Sequence, residues 1–270
     1  MMNMRELAHN AWCKAEPGIE PLVSLISRWS CLLVALTPVV VSAAGTSKED
    51  LTAKDIIERM VKVYAGTKWY RDSGVVKAQV RGTADDGGFD EELRFTTAFA
   101  RSDRFRFEFR TRVNEQEFRH IIWSNGKEVQ TWSNPKLDVR NPDSLSMAIA
   151  AATGISYNSA HTVAHLLLPD EVVEWRRTDM WDLQRLEDAH MGPVECFRVN
   201  GKADIPAERD LPAMTMTSIV WIEKKTFLLR RIDSTMDSAK FRSKDMTTYE
   251  PVVDEEIPES MLEFGSPKEN

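Results

Sequence analysis

Two histidines four residues apart, His161 and His165, have the spacing that lets two imidazoles on one helix reach a single metal ion. A hydrolytic zinc site of that kind carries a glutamate inside the motif as general base, and Thr162 stands in that position. The plainer reading is a helix packed on a sheet, its histidines hydrogen-bonded to backbone; a metal-dependent hydrolase built on the pair is kept as a third alternative. Cys196 lies in Val194-Glu-Cys-Phe-Arg-Val199, where the charge of Glu195 opposes a thiolate, so a buried structural thiol is expected. The chain contains no Gly-x-Ser-x-Gly elbow and no phosphate-cradling glycine loop, and the acidic run Asp254-Glu-Glu256 reads as solvated surface. The expectation is a protein without a catalytic site, a metal or a cofactor.

A larger constellation is aromatic. Phe95, Phe99, Phe105, Phe107 and Phe109 fall on one face of two alternating segments, and Trp123, Trp132 and Trp221 lie on neighbouring or later ones. Any one ring is ordinary core; taken together the rings outnumber what the few helices can cover, which points to a lined cavity for an acyl chain. Val76, Val80, Leu93 and Met147 complete the expected lining. Arg101, Arg104, Arg106, Arg110, Arg112 and Arg119 collect in the same region. By alternation Arg104, Arg106 and Arg110 point away from the phenylalanines, as a solvated convex face paired with acids such as Glu108 would; docking of an anionic partner or membrane surface is the alternative.

The elements that must position these residues follow from periodicity. Thr52-Ala-Lys-Asp55 resembles a capping box, and Ile56, Ile57, Met60, Val61 and Tyr64 recur at helical spacing until Gly66. The period then becomes two: Val76, Ala78 and Val80, then Leu93 to Phe99, then Phe105 to Phe109. Segments 117–124 and 127–133 flank Asn125-Gly126, a hairpin signal. Asp143 or Ser144 caps a short helix over 145–152, apolar nearly all round, which must be buried or cover an opening. Ser159 caps a second over 160–168, closed by Pro169. Strand patterns return at 181–190, 194–203, 216–223, 227–236 and 239–249, with Glu223-Lys-Lys-Thr226 as a turn. The class is α+β: a strongly curved antiparallel sheet, an incomplete β-barrel, with an N-terminal helix and a two-helix lid insertion.

At the N-terminus Arg28-Trp29-Ser30, the 11-residue apolar run Cys31–Val41 and Ser42-Ala43-Ala44 have the order of a secretory signal. Spanning a bilayer takes about 20 apolar residues, so cleavage is expected, with no transmembrane span in the mature form. Leu25 to Ala44 alone makes a normal signal, so the true start is expected downstream of Met1. Cys31 precedes the apolar core and is no acylation site. Residues 1–44 are thus read as signal, 45–50 as linker, 51–257 as one domain and 258–270 as a frayed tail. Arg5, Lys14 and Arg28 balance Glu6, Glu16 and Glu20, so the mature part keeps the net charge of −7, which argues against nucleic acid as a partner. Only Cys196 remains, and no intrachain disulfide is available.

This order of elements, with Trp221-Ile-Glu-Lys-Lys-Thr-Phe-Leu-Leu-Arg-Arg231 late in the chain, resembles the LolA/LolB-like periplasmic lipoprotein-carrier superfamily. Within it the chain is similar to a predicted periplasmic family of unknown function through Phe105-Arg-Phe-Glu-Phe109, Ile122-Trp-Ser-Asn-Gly126 and Gly154-Ile-Ser-Tyr-Asn-Ser-Ala-His161. The resemblance covers roughly 50–250. It implies helices acting as a lid over a hydrophobic cavity, lipid or lipoprotein acyl chains as ligand, and a periplasmic location. A sensor or scaffold that binds another envelope protein without lipid is the second reading.

Overall fold

The computed structural model describes residues 51–82, 87–101, 103–113, 115–134, 137–172, 179–205, 213–239 and 241–265. The expected signal and linker lie outside the described residues. Helix α1 (Ala53–Gly66) opens with the anticipated capping box: the Thr52 hydroxyl accepts from the Asp55 backbone N–H, and the Asp55 carboxylate accepts from that of Thr52. The Thr52 hydroxyl, which also donates to the Asp55 carboxylate at 2.6 Å, and then the Thr52 N–H hold that carboxyl below its ordinary pKa. Ala53, Ile56, Ile57, Met60 and Tyr64 form its buried face.

Six strands follow: β1 (Trp69–Gly82), β2 (Gly88–Ala100), β3 (Arg104–Val113), β4 (Gln116–Asn125), β5 (Val129–Ser133) and β6 (Asp138–Arg140). After α2 (Leu145–Thr153) and α3 (Ser159–Leu167) come β7 (Trp181–Met191), β8 (Val194–Ile205), β9 (Met214–Glu223), β10 (Leu229–Asp237), β11 (Phe241–Tyr249) and the short β12 (Val252–Val253). Ser144 caps α2, accepting from the Met147 N–H at 3.2 Å. The expected Ser159 cap is corrected. Asn158, at a left-handed φ of 65°, precedes α3, and the Ser156 hydroxyl accepts the Ala160 N–H, because Ser159 has already entered the helix and donates to the Ser156 carbonyl.

All pairings are antiparallel, in the order β6-β5-β4-β3-β2-β1-β11-β10-β9-β8-β7, with β12 on β1. The sheet is not closed: β6 and β7, consecutive in sequence, are its two edges. The α2–α3 connection therefore crosses from one edge to the other. Helix α2 packs on β4 and β5, α3 packs on α2 and α1, and α1 packs on β7 and β8. Three helices side by side place α2 and α1 about 20 Å apart at ordinary helix spacing, whereas β5 and β8 are about 38 Å apart along the sheet at ordinary strand spacing. The sheet must curl to satisfy both distances, and its inner side is the concave one.

Register assigns the faces. Phe95 pairs with Phe109, Thr97 with Phe107 and Phe99 with Phe105, so the phenylalanines share the concave face with Val76 and Leu93. Gly74 lies opposite Phe95, and a Cβ there would overlap that ring and the Thr248 carbonyl. β1 begins at Trp69, well before the alternation at Val76, because Asp72 and Gly74 interrupt the apolar pattern on its inward side.

The tail departs from expectation over residues 258–265; the rest of the expected frayed segment, 266–270, lies outside the described residues. Residues 258–265 dock on the convex face rather than fray: Glu259–Met261 form a 3-10 turn, Ile257 and Leu262 pack against Ala98 and Ala100, and the Trp123 indole donates to the Leu262 carbonyl at 2.6 Å. Small side chains at 98 and 100 leave the hollow that these two residues fill. With Glu255 on Arg71 and Glu259 on Arg104, this segment ties β1 to β4 from outside. Ending the chain after Ile257 is expected to lower the unfolding free energy by about 2–4 kcal/mol, read by urea denaturation; unchanged stability would show that the strap only rests on the sheet.

Candidate functional site: the concave face and its helical cover

Phe95, Phe99, Phe105, Phe107 and Phe109 are each 3% exposed or less, so the rings expected to outnumber what the helices can cover are covered; Phe107 meets Phe95 and Phe109 in tilted contact at centroid distances of 5.8 and 6.2 Å. Val76 and Leu93 are buried beside them, while Val80 lies half-buried farther along the face, outside the core. Leu145, Ala148, Ile149 and Ala152 are the buried side of α2. Met147 is on its opposite side, 36% exposed, and adds nothing to the lining.

The three tryptophans are not brought together with the phenylalanines. Trp123 pairs across from Arg106, Trp132 from Ile121 and Trp221 from Arg198, all on the convex face. There each lies against a cation or the tail: the Arg119 guanidinium is 5.7 Å from the Trp132 ring, and Arg198 and Arg231 flank Trp221 at 4.7 and 5.0 Å. Stretches such as Ile121-Ile122-Trp123 and Ile219-Val220-Trp221-Ile222 are apolar at both parities, so alternation alone could not say which side faces inward.

Arg104, Arg106 and Arg110 point outward as expected. Glu108, buried on that face, accepts from Arg106, Arg110 and Arg119. Burial pulls its carboxyl upward, but the bonds from Arg119, Arg106 and Arg110 outweigh that and hold its pKa at about 2. Arg101 plays a part that the sequence did not suggest. Its guanidinium donates to the Ala65 and Thr67 carbonyls at the end of α1 and to the Leu167 carbonyl at the end of α3, at 2.9 to 3.1 Å. One cation thus caps both helix C-termini, where the backbone carries partial negative charge. At the other end of the cover the Tyr157 hydroxyl, in the α2–α3 turn, donates to Glu91 on β2 at 2.7 Å.

His161 and His165 lie in α3, both buried, with rings parallel at 5.8 Å between centroids. Their lone pairs lie in two parallel planes rather than converging, and His165 Nδ1 is 3.2 Å from the Val172 carbonyl. Among the described residues no group of three His, Cys, Asp or Glu side chains is placed to hold a metal ion. Cys196 is buried on β8, and burial pushes its thiol pKa up.

Burial shifts the pKa of two ionisable groups on the concave face toward their neutral forms. Asp72, facing inward on β1, accepts from the Tyr70 hydroxyl at 2.7 Å, and burial raises its pKa to about 6. Tyr64, from α1, stacks near Tyr70 and accepts the Leu229 N–H. His120, on β4, lies against Phe109 with its Nε2 buried and without a hydrogen-bond partner; burial, and then the charge of Arg140, lower its pKa to about 4. Neither group was singled out in the sequence, since a lone inward acid or histidine leaves no periodic trace.

A scan of family models finds none that matches this chain, and no curated protein matches it by sequence. Solved structures similar to it include lipoprotein LppX of Mycobacterium tuberculosis, at 13% identity over 76% of this chain and 97% of that one, TM-score 0.40. LprF from Mycobacterium bovis is similar at 11% identity over 76% and 94%, TM-score 0.43, and a LolA superfamily protein from Nitrosomonas europaea at 10% over 79% and 98%, TM-score 0.32. Among the described residues no helix is long and apolar enough to cross a membrane.

The buried acid yields a signed expectation. The Asp72 pKa is higher folded than unfolded, so its ionisation opposes folding; the penalty is absent below about pH 4 and complete above about pH 6. Asp72→Asn is expected to stabilise the protein at pH 8 by up to about 3 kcal/mol and to have no effect of that kind at pH 4, measured by denaturant unfolding at both pH values. An equal change at both would disprove the linkage.

Proposed function

We propose that this protein reversibly holds an apolar chain, a lipid or the acyl chain of a lipoprotein, against its concave face beneath α2 and α3, in the periplasm. The observation that carries this reading is a wide apolar floor closed over by helices: five phenylalanines are buried on the concave face in one core with the buried sides of α1, α2 and α3. Of these helices α2 contributes the fewest buried side chains, Leu145, Ala148, Ile149 and Ala152, two of them single methyl groups, so it gives up the least apolar contact by moving aside. An acyl chain entering in its place gains roughly 0.8 kcal/mol for each methylene buried, so a dozen methylenes supply about 10 kcal/mol against the cost of displacing two large side chains.

Among its fastenings, the cover is held at its two ends by Arg101 to the Leu167 carbonyl and by Tyr157 to Glu91. That arrangement suits a lid that swings or lifts as a unit. Nothing in this reading calls for bond chemistry, and the protein is taken as a binding module rather than an enzyme.

Protein purified without detergent is expected to carry lipid by native mass spectrometry, and the delipidated form to take up a fluorescent long-chain fatty acid saturably at about one per chain. Arg101→Ala, which frees both helix ends, is expected to speed uptake several-fold while lowering thermal stability. Absence of saturable uptake by the delipidated wild type, with its fold intact by circular dichroism, would sink the reading.

A further inference from the structure

The concave face continues past the part that the helices cover. Val220 and Ile232 are the last inward residues of β9 and β10 that belong to the contiguous core, which on β8 reaches past Val199 to Ala203. The next inward row is small, Gly201, Ser218 and Ser234, with the two serine hydroxyls 3.1 Å apart and Met180 and Leu183 lying over Gly201. Beyond it stand Met216 and Met236, direct cross-strand partners, and Met214 two residues farther along β9 on the same face. Met214 is buried and the other two half-buried, yet none of the three belongs to the hydrophobic core found among the described residues.

Direct cross-strand partners hold their Cβ atoms about 5 Å apart, and residues two apart on one strand face are about 7 Å apart. A methionine sulfur lies two bonds beyond Cβ on a side chain with freely rotatable bonds, so three sulfurs from these positions can turn toward one point among the three residues, beyond the serine row. Thioethers are neutral, soft donors. They leave Mg, Ca and Zn to harder ligands and select Cu(I). Asp245, beside Ser234 in the β10–β11 register, sets one negative charge at the edge of the same surface.

We propose that Met214, Met216 and Met236 form a three-thioether site for a single Cu(I) ion on the inward face of β9 and β10, beyond the serine row. The site is separate from the phenylalanine floor, and it does not depend on whether that floor takes an acyl chain.

The test is anaerobic titration of the purified chain with Cu(I) against a chromophoric chelator, repeated with Ag(I) as a redox-inert substitute and read by native mass spectrometry. One ion per chain is expected. Met216→Leu and Met236→Leu should each weaken binding by about tenfold or more, while Met147→Leu, on the outward side of α2, should leave it unchanged. Leucine keeps the apolar volume, so the double variant should retain its circular dichroism and its thermal unfolding midpoint; loss of the metal with retention of the fold supports the site. Failure of the wild type to bind one ion, or binding that survives the double substitution, overturns it.

Discussion

The edges of this sheet are neighbours in sequence and strangers in pairing, and the structure is organised around that constraint. The chain leaves β6 at one margin and must re-enter as β7 at the other, so the segment between them has to pass over one face. Once α2, α3 and α1 lie side by side from β4 and β5 to β7 and β8, the sheet cannot be flat. Curvature, concavity and cover are one consequence. Arg101 ties them together: in the β2–β3 corner, near the middle of the strand order, it holds the ends of two of the three bridging helices.

The convex face solves a different problem. It carries many arginines, and Arg94, Arg110 and Arg119 face one another in direct register across β2, β3 and β4, an arrangement that would repel if left alone. Carboxylates in the adjoining rows absorb the repulsion: Glu92 meets Arg94, and Glu108 takes three guanidiniums at once. The tryptophans belong to this side because a broad ring between two guanidiniums can be half-covered without being core, as Trp221 is between Arg198 and Arg231.

Strand positions and the inward set Phe95 to Phe109 were legible in the sequence because strict alternation leaves a single choice of face. The helix starts at Thr52 and Ser144 were legible because capping chemistry is local. What could not be read was set by contacts distant in sequence. Runs such as Ile121-Ile122-Trp123 satisfy either face, and only their partners decide. Arg101 looks like any surface arginine until two helix ends arrive beside it, and the tail looks polar until the hollow over Ala98 and Ala100 is known. The phenylalanine face was legible as a surface, but its covering by helices depends on the crossover between sheet edges, which the strand pattern alone does not contain.

The buried ionisable groups say which way the cover is biased. Water stabilises an ionised carboxylate and a protonated imidazole, so the raised pKa of Asp72 and the lowered pKa of His120 record free energy given up by enclosing each of them. His120 lies on β4, one of the two strands on which α2 packs, and its Nε2 has no partner in the closed arrangement. Exposing that nitrogen would return it to water together with the Phe109 ring beside it, which water disfavours. The covered arrangement is therefore held by apolar burial against a standing polar cost. On the function proposed above, an apolar chain that supplies contact in place of a displaced helix removes the obstacle that apolar burial sets to opening.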